Sequence, residues 1–486
     1  MLTSLPDSAF VRFDQANPEA GARKWQYDLG TVDWDGEYII KGPGMQLAVD
    51  KSKIYITSVM SRRLTAIDAA EGREIWSRFN IQPYFDSILA VDDHGDIYSS
   101  YIVAEKVISD DEIVKVLAKL DAGVGEKWSL SFSQLSPATG NEAHMINMGH
   151  GVILSAGVLY ISHNDIDGGH VYALRQDTGE ILWRWSRSGI AIRHLCMGRN
   201  GLLYFPYAVF GDEKTYKNGV IGLKVDSGVE AAFAENPVGS SYRRLTIARN
   251  GTMFATVEHD SPGSSTERLV PGNQIDILEM GVDGGYRKAR DIRLPDSQLG
   301  ILSTVIIGER GVIFVAGGKA RNVEGEEALA TTLYAIDSQT GSVKWRYAVD
   351  GLMAGAPVLT AGGSIYFSLL SNAYHVAGKA APYDLLRTPQ LHAISASTGE
   401  PSWRVSLPPT AAVISTLARQ GRAAWAVTAP QLGADGTVYL GFVTVHEEGG
   451  NSALRHHVAA FSAKEPLAKS DWPCEFGNSR NTGLAE

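Results

Sequence analysis

The chain has 486 residues, of which 44% are hydrophobic and 20% are charged, as in an ordinary folded domain. Its net charge of −10 argues against nucleic acid as the main partner, because phosphate binding needs clustered Lys and Arg. No run of eighteen apolar residues is present, so we expect no transmembrane segment.

The chain begins with a polar extension, residues 1–20, before the first structured element. Residues 1–22 lack the basic start and the apolar stretch of a secretory signal. The compartment therefore stays open between the cytoplasm and export with a signal already removed. Segment 21–30 follows and contains Gly21 and Trp25 at the spacing G-x3-W.

A longer pattern, A-x5-G-x3-W, recurs four times in the rest of the chain. Each copy predicts a strand, a tight turn in which glycine supplies a positive φ, and a second strand that ends in tryptophan. A small sheet cannot cover that indole alone, so copies of the sheet must stack on one another. The docking residues of the copies are Ala66, Gly72 and Trp76; Ala173, Gly179 and Trp183; Ala335, Gly341 and Trp345; and Ala393, Gly399 and Trp403.

Weaker copies fill the gaps between the complete ones. One keeps Ala118 and Trp128, one has Ala232 in place of tryptophan, and near Lys288 only Gly284 survives. The copies recur about every 50 to 60 residues, which fits four strands per unit. We predict blades 1 to 8 at residues 42–79, 84–132, 144–187, 190–234, 242–292, 299–349, 354–407 and 424–462.

The two ends of the chain complement each other. The last unit has the alanine half of the motif near Ala460 but no glycine or tryptophan after it, whereas segment 21–30 has only the second half. Joining them completes an eighth blade and hides the free strand edges. Residues 1–486 are thus predicted to form one all-β domain: an eight-bladed β-propeller of four-stranded antiparallel blades, closed by the N-terminal strand, with 463–486 as a tail.

These motifs resemble the pyrroloquinoline-quinone (PQQ) repeat of the quinoprotein alcohol dehydrogenase-like propeller superfamily, over about residues 20–483. In that superfamily the Ala-Gly-Trp positions form the tryptophan docking motif. The C-terminal Trp472-Pro473-Cys474 segment is similar to a tail common in such proteins. The resemblance implies either a PQQ-dependent dehydrogenase or a non-enzymatic scaffold such as BamB.

The dehydrogenase features that the resemblance implies are missing from the sequence. The dehydrogenases of that superfamily carry two adjacent cysteines beside the quinone, whereas Cys196 and Cys474 lie far apart in this sequence. These two cysteines form either one long-range disulfide or two unrelated thiols. Its calcium ligands cannot be aligned. The hairpin at Asp165 and Asp167 lacks the later glutamate of an EF-hand and is interpreted as a polar turn. We therefore assign no cofactor and no metal site, and do not expect PQQ with calcium.

The connections between second and third strands are long, at 105–111, 211–219, 259–272, 317–330, 370–390 and 446–455. All of them leave a propeller on one face, and elaborated loops on a rigid scaffold commonly bind ligands. Polar and aromatic residues of blades 3 to 5 converge on that face. The candidates are His144, His163, His194, Tyr207, Tyr242 and Arg243 for catalysis, and His170, Arg193 and Arg244 for ligand binding.

Three functions remain open at this stage. The leading hypothesis is a binding scaffold that presents the long-loop face to a protein or a glycan. The second is a lyase acting on acidic polysaccharides, since His, Tyr and Arg can serve as base, acid and carboxylate neutraliser, an arrangement similar to propeller lyases. The third is a PQQ-dependent dehydrogenase. The non-functional alternative is that the candidate residues only cap strand ends or bind solvent.

Overall fold

The computed structural model describes residues 9–12, 20–32, 45–58, 63–79, 81–82, 89–103, 115–135, 147–165, 167–209, 218–236, 240–260, 269–281, 284–295, 300–323, 326–372, 374–375, 385–411, 426–448, 451–471 and 473–474. Their strands form eight antiparallel blade sheets. The predicted eight-bladed propeller is confirmed. No helix in the described part of the chain is both long and apolar enough to cross a membrane.

The first four blades follow one another along the chain. Blade 1 consists of Met45–Asp50, Lys53–Ser58, Arg63–Asp68 and Glu74–Phe79; blade 2 of Ile81–Gln82 with Leu89–Val91, Ile97–Val103, Lys115–Leu120 and Glu126–Ser131; blade 3 of Asn147–Ser155, Val158–Asn164, Gly168–Arg175 and Ile181–Ser188; and blade 4 of Ile190–Ile192 with Cys196–Met197, Leu202–Val209, Gly219–Lys224 and Glu230–Glu235. A four-residue α-helix, Phe132–Leu135, follows blade 2.

Among the second four blades, blades 5, 6 and 8 have longer central hairpins. Blade 5 consists of Ser240–Ile247, Met253–Asp260, Leu269–Met280 and Tyr286–Arg293; blade 6 of Ile306–Ile307, Val312–Val323, Glu326–Asp337 and Val343–Asp350; blade 7 of Leu352–Leu359, Ser364–Leu370, Pro389–Ser395, Pro401–Ser406 and the N-terminal Ala9–Arg12; and blade 8 of Gln431–Leu432, Thr437–Glu448, Asn451–Ser462 and Arg23–Val32. A 3-10 turn, Glu309–Gly311, and a small sheet of Tyr374–His375, Leu385–Arg387 and Thr410–Ala411 complete the description.

The first three strands of a blade are mostly buried, and the fourth strand is the most exposed. The first strand of blade 1 contacts the first strands of blades 2 and 8, which places these strands around the centre of the ring. The second and third strands are almost wholly buried, because both faces of each sheet pack against neighbouring blades. The fourth strands alternate between exposed and half-buried residues, as expected for an outer edge with one covered face.

Five docking tryptophans each join their blade to the next one in the ring. Trp345 of blade 6 donates its Nε1–H to the Ala396 carbonyl of blade 7 at 2.9 Å, and its ring lies over Gly399. A Cβ at Gly399 would lie 2.7 Å from the indole, so only glycine fits. The equivalent indole bonds to Ala69, Ala122, Gln176 and Val225 are made by Trp25, Trp76, Trp128 and Trp183.

Two blades contact the next blade without a docking tryptophan. In blade 5 the docking position, directly opposite Ile277, is Arg290, whose guanidinium donates to the Ser338 and Gln339 carbonyls of blade 6. In blade 4, where Ala232 stands, Tyr204 instead packs edge-on against Tyr286 of blade 5 with ring centroids 5.5 Å apart. Both weak repeats therefore contact the following blade, and the motif near Lys288 includes Arg290 in addition to Gly284.

The N-terminal strand closes the ring as predicted. Arg23–Val32 pairs antiparallel with Asn451–Ser462, with Trp25 opposite Ala460, and the Trp25 indole bonds to blade 1. The predicted extension 1–20 also contains structure, since Ala9–Arg12 adds a fifth strand to the outer edge of blade 7. The N-terminus therefore binds two consecutive blades. Both cysteines are free thiols, buried in different hydrophobic clusters.

Candidate functional site

The predicted site residues separate into distinct groups near the long-loop face. His144 lies outside the described residues. Arg193 and Arg243 come together from blades 4 and 5, His163 and His170 come together within blade 3, and the remaining candidates make separate contacts. These contacts describe structure only, and a catalytic role for the residues stays a prediction.

Arg193 and Arg243 both bind Glu258, a residue that the sequence analysis did not select. Arg193 Nη2 lies 3.0 Å from Glu258 Oε2, and Arg243 Nε lies 3.2 Å from Oε1. The Glu258 carboxylate is buried, and the two guanidiniums are partly covered. Each carboxylate oxygen is therefore neutralised by its own guanidinium in a bridge between neighbouring blades. A buried acid between two arginines holds the blades together, because removing one partner leaves a buried charge uncompensated.

The other blade 4 and blade 5 candidates bond to their surroundings. His194 Nε2 lies 3.1 Å from both the amide and the carbonyl of Leu245, and Arg244 donates to Thr304 at 3.4 Å. Tyr242 is fully buried and donates its hydroxyl to Asp276 at 3.2 Å. Burial, reinforced by Asp276, raises the pKa of Tyr242. Tyr207 stacks on Phe233, and burial raises its pKa to about 12.

His163 and His170 form a compact cluster with Asp165 at the blade 3 hairpin. The two histidines are directly opposite each other on adjacent strands, and their rings stack with centroids 4.7 Å apart. Asp165 Oδ2 lies 3.0 Å from His170 Nε2 and 3.8 Å from His163 Nε2. All three side chains are buried. Burial lowers the pKa of His163, although Asp165 acts in the opposite direction.

The connections over blades 6 and 8 are paired strands and not the loops predicted at 317–330 and 446–455. In blade 6 the pairing runs from the docking pair Phe314–Ala335 out to Val323–Glu326, nine residues along the strand. In blade 1 the corresponding pairing extends three residues, from Tyr55–Ala66 to Ser58–Arg63. The blade 8 hairpin is as long as that of blade 6, ending at Glu448–Asn451. At roughly 3.3 Å per residue, six additional residues extend each hairpin by about 20 Å.

Blade 7 links these two hairpins. Asn372, after its second strand, accepts a hydrogen bond from the Leu329 amide at 2.8 Å and donates one to the Leu329 carbonyl at 3.0 Å. The three-stranded sheet above blade 7 lies against the second strand of blade 8 through Thr410–Ala411. We call the hairpins Val312–Asp337 and Thr437–Ser462, together with this small sheet, the hairpin platform. It is the most elaborated ordered part of the described long-loop face.

A second polar cluster lies on the opposite, short-turn face between blades 2 and 3. Asp96 binds Lys119 at 3.0 Å and Lys127 at 2.7 Å, and Asp92 binds Lys119 at 3.3 Å. These groups line a cavity of about 530 Å³ together with Gly157 and Gln176. Burial would raise the pKa of Asp96, but hydrogen bonds from Lys127 and Lys119 outweigh it, so that the pKa is lowered. The charges balance within the cluster, which indicates a structural role.

The described residues do not fit the quinone and calcium of the dehydrogenases. The two cysteines are buried in different clusters, so they cannot form the adjacent pair that such enzymes place beside PQQ. Among the described residues, the one group of three or more candidate metal ligands is His163, Asp165 and His170. Calcium prefers six to eight oxygen ligands, and two imidazole nitrogens do not suit it. We therefore derive no chemistry through PQQ.

Fold and docking geometry together define an eight-bladed β-propeller whose blades are joined by docking tryptophans. The structure superposes on quinohemoprotein alcohol dehydrogenase from Comamonas testosteroni with a TM-score of 0.54 and 13% identity, covering 93% of this chain and 78% of the enzyme. It also matches the WD40 domain of SCAP from fission yeast, with a TM-score of 0.50 and 9% identity over 94% of this chain and 98% of that domain.

BamB from Moraxella catarrhalis is a looser match, with a TM-score of 0.40 and 13% identity over 79% of this chain and 97% of BamB. No protein-family model matches the sequence, and no curated protein matches it significantly. At 9–13% identity, the likeness to the alcohol dehydrogenase and to the WD40 domain concerns the fold alone, and it agrees with the predicted β-propeller.

Proposed function

We propose that the protein is a non-catalytic binding propeller that holds a polypeptide partner on its hairpin platform. The observation that carries this proposal is the length and mutual bracing of the blade 6 and blade 8 hairpins. The hairpins pair to Val323–Glu326 and Glu448–Asn451, and the Asn372 bonds tie the first of them to blade 7. Projecting, braced strands are pre-organised, which lowers the ordering cost of binding.

The contacts of blades 4 and 5 support binding over lyase chemistry. Arg193 and Arg243 already neutralise Glu258, so a substrate carboxylate would have to displace a buried carboxylate from both. Tyr242, the candidate acid, is buried and donates to Asp276. Its raised pKa favours the protonated form, but burial keeps that proton away from any ligand on the surface.

The test compares shortened hairpins inside and outside the hairpin platform. In one variant Asn-Gly replaces residues 321–328, which leaves the Ala320–Leu329 pair and the Asn372 bonds; in another it replaces 446–453. The matched control places Asn-Gly at 261–268, beyond the Asp260–Leu269 pair of blade 5. A photo-cross-linking residue at Lys319, with one at Lys51 on the short-turn face as reference, first captures and identifies the partner.

We expect a polypeptide to cross-link from position 319 and not from position 51. The purified partner should then bind both platform variants at least about 10-fold more weakly, a loss of roughly 1.4 kcal/mol, while the blade 5 control binds like the unaltered protein. Equal loss in the control, or a carbohydrate as the captured ligand, would overturn the proposal. So would unsaturated sugar products released from uronic-acid polymers, or alcohol oxidation by the protein supplied with PQQ and calcium.

A further inference from the structure

We propose that His163, Asp165 and His170 bind one divalent transition-metal ion of the zinc class, which fastens the blade 3 hairpin. This site lies apart from the hairpin platform of blades 6 to 8 and does not depend on the function proposed for it. The inference rests on the arrangement of the three ligand atoms, on the contacts that orient them, and on their burial.

The separations of the ligand atoms fit a small metal ion. Zinc binds imidazole nitrogen and carboxylate oxygen at roughly 2.0–2.2 Å, which places tetrahedral ligands about 3.3–3.5 Å apart. Asp165 Oδ2 is 3.0 Å from His170 Nε2 and 3.8 Å from His163 Nε2, on either side of that value. All three ligand atoms lie within 4.8 Å of one another. Small side-chain rotations would therefore bring them onto one ion.

Neighbouring groups orient two of the ligands. His170 Nδ1 is hydrogen-bonded to Ser186 Oγ at 2.8 Å, which directs Nε2 toward Asp165. Metal-binding histidines commonly make such a bond through the other ring nitrogen. The second carboxylate oxygen, Asp165 Oδ1, accepts the Asp167 and Gly168 amides at 2.9 and 3.1 Å. The hairpin turn thus holds the carboxylate in place and leaves Oδ2 facing the two rings.

His170 Nε2 is buried and lies near Asp165 Oδ2 without a hydrogen bond between them, although the distance is 3.0 Å. At a distance of 3.0 Å, the missing hydrogen bond implies that the oxygen lies off the axis along which a ring N–H points. An oxygen that binds the same metal ion as Nε2 also lies off this axis. It lies about 45° from the direction of the nitrogen lone pair when the metal–nitrogen and metal–oxygen bonds are both roughly 2.1 Å long. A direct His–Asp hydrogen bond would instead place the oxygen close to that axis.

Burial and ligand type indicate the class of metal. The exposed fraction is 0% for His163, 7% for Asp165 and 3% for His170, so that a structural ion taken up during folding is expected. Two imidazoles and one carboxylate suit zinc, cobalt or nickel better than calcium or magnesium. Arg184, opposite Tyr172 on the outer strand, places a positive charge near the cluster. That charge opposes cation binding, so we expect the negative charge of Asp165 to be essential for holding the metal ion.

The experiment uses the full chain, freed of metal with a chelator and then dialysed against Zn²⁺ or Co²⁺. Mass spectrometry of the metal content should give one ion per chain, and Co²⁺ should show the strong visible absorption of a tetrahedral site. Asp165→Asn and His170→Gln should each lower Zn²⁺ affinity by more than the roughly 10–100-fold typical of outer contacts, and Ser186→Ala by an amount within that range. Excess Ca²⁺ should not displace the Zn²⁺.

His392→Gln is the matched control, because His392 is a buried histidine on the equivalent strand of blade 7 that stacks on Phe367. It should bind Zn²⁺ like the unaltered chain. Ser186 is exposed, so Ser186→Ala keeps the test decisive if the His170 variant does not fold. A metal content far below one ion per chain, or equal Zn²⁺ affinity for Asp165→Asn and the unaltered chain, overturns the proposal.

Discussion

The contact between Trp345 and Gly399 predicts how strongly one blade depends on the next. Gly399 has a φ of +75°, and a Cβ there would lie 2.7 Å from the indole of the preceding blade. Gly363, in the first turn of blade 7, has a φ of +82° but open space around its missing Cβ. Alanine at the two positions therefore separates the cost of the backbone conformation from the cost of displacing the tryptophan.

The two costs can be estimated from the structure. A left-handed alanine costs about 1–2 kcal/mol, which is the whole effect expected for Gly363→Ala. Gly399→Ala carries the same cost plus about 1–3 kcal/mol for forcing the indole aside. Displacing the indole also breaks its bond to the Ala396 carbonyl. With about 1 kcal/mol for that bond, we expect Gly399→Ala to lower the free energy of unfolding by about 3–6 kcal/mol in all.

Urea unfolding followed by tryptophan fluorescence measures both variants, and a double-mutant cycle tests the cause. In a Trp345→Ala background the steric conflict is gone, so Gly399→Ala should cost only the backbone share, about 1–2 kcal/mol. If Gly399→Ala is equally costly with and without the indole, or no worse than Gly363→Ala, the docking argument is refuted.

Three further outcomes follow from individual contacts. Asp96→Asn should destabilise the protein by about 3 kcal/mol at pH 7, because Lys119 and Lys127 lose a buried partner. Folding lowers the pKa of Asp96, so the stability that its carboxylate contributes is present above the unfolded pKa near 3.9 and is lost as the pH falls through the folded pKa. In urea unfolding, the free energies of unfolding of the variant and of the unaltered protein should therefore converge below about pH 4. Burial raises the pKa of Cys196, and Cys474 is also buried, so iodoacetamide at pH 8 should label neither thiol until urea unfolds the chain; rapid labelling of the native protein would contradict that burial. Arg290→Ala should cost about 1–3 kcal/mol by leaving the Ser338 and Gln339 carbonyls without their donor, whereas alanine at the exposed Arg293 should change the free energy of unfolding by less than about 0.5 kcal/mol in the same assay.

The docking residues could be predicted because their information is local. Alanine, glycine and tryptophan have a fixed spacing in the sequence across one hairpin, so each copy of the motif can be recognised without knowledge of the rest of the chain. Arg290 could not be predicted from this pattern. Its guanidinium binds the equivalent carbonyls, but arginine is not hydrophobic as tryptophan is. The fifth strand of blade 7, Ala9–Arg12, could not be predicted for another reason: four residues are too few to show the alternation of a strand.

The candidate sites depend on partners distant in sequence. Arg193 and Arg243 were selected as residues of one sector, but Glu258, which determines their charge balance, is 65 residues from Arg193. The histidines of blade 3 carry a sequence signal for a shared site. Residues placed symmetrically about a hairpin turn face each other, so His163 and His170 around Asp165 could have been recognised as a cluster from spacing alone.

An engineered disulfide tests most directly the central claim, that the strand Arg23–Val32 completes the last blade. Gln26 and Ala459 are cross-strand partners, with Cβ atoms roughly 4.5–5.5 Å apart in such pairs, close enough to join with a small adjustment. Cysteines at 26 and 459 should cross-link in most native molecules on mild oxidation, as measured by electrophoresis without reductant, whereas cysteines at 26 and 234, in blades 8 and 4, should not. Equal cross-linking of the two pairs, or none at 26 and 459, would contradict a ring closed in this way.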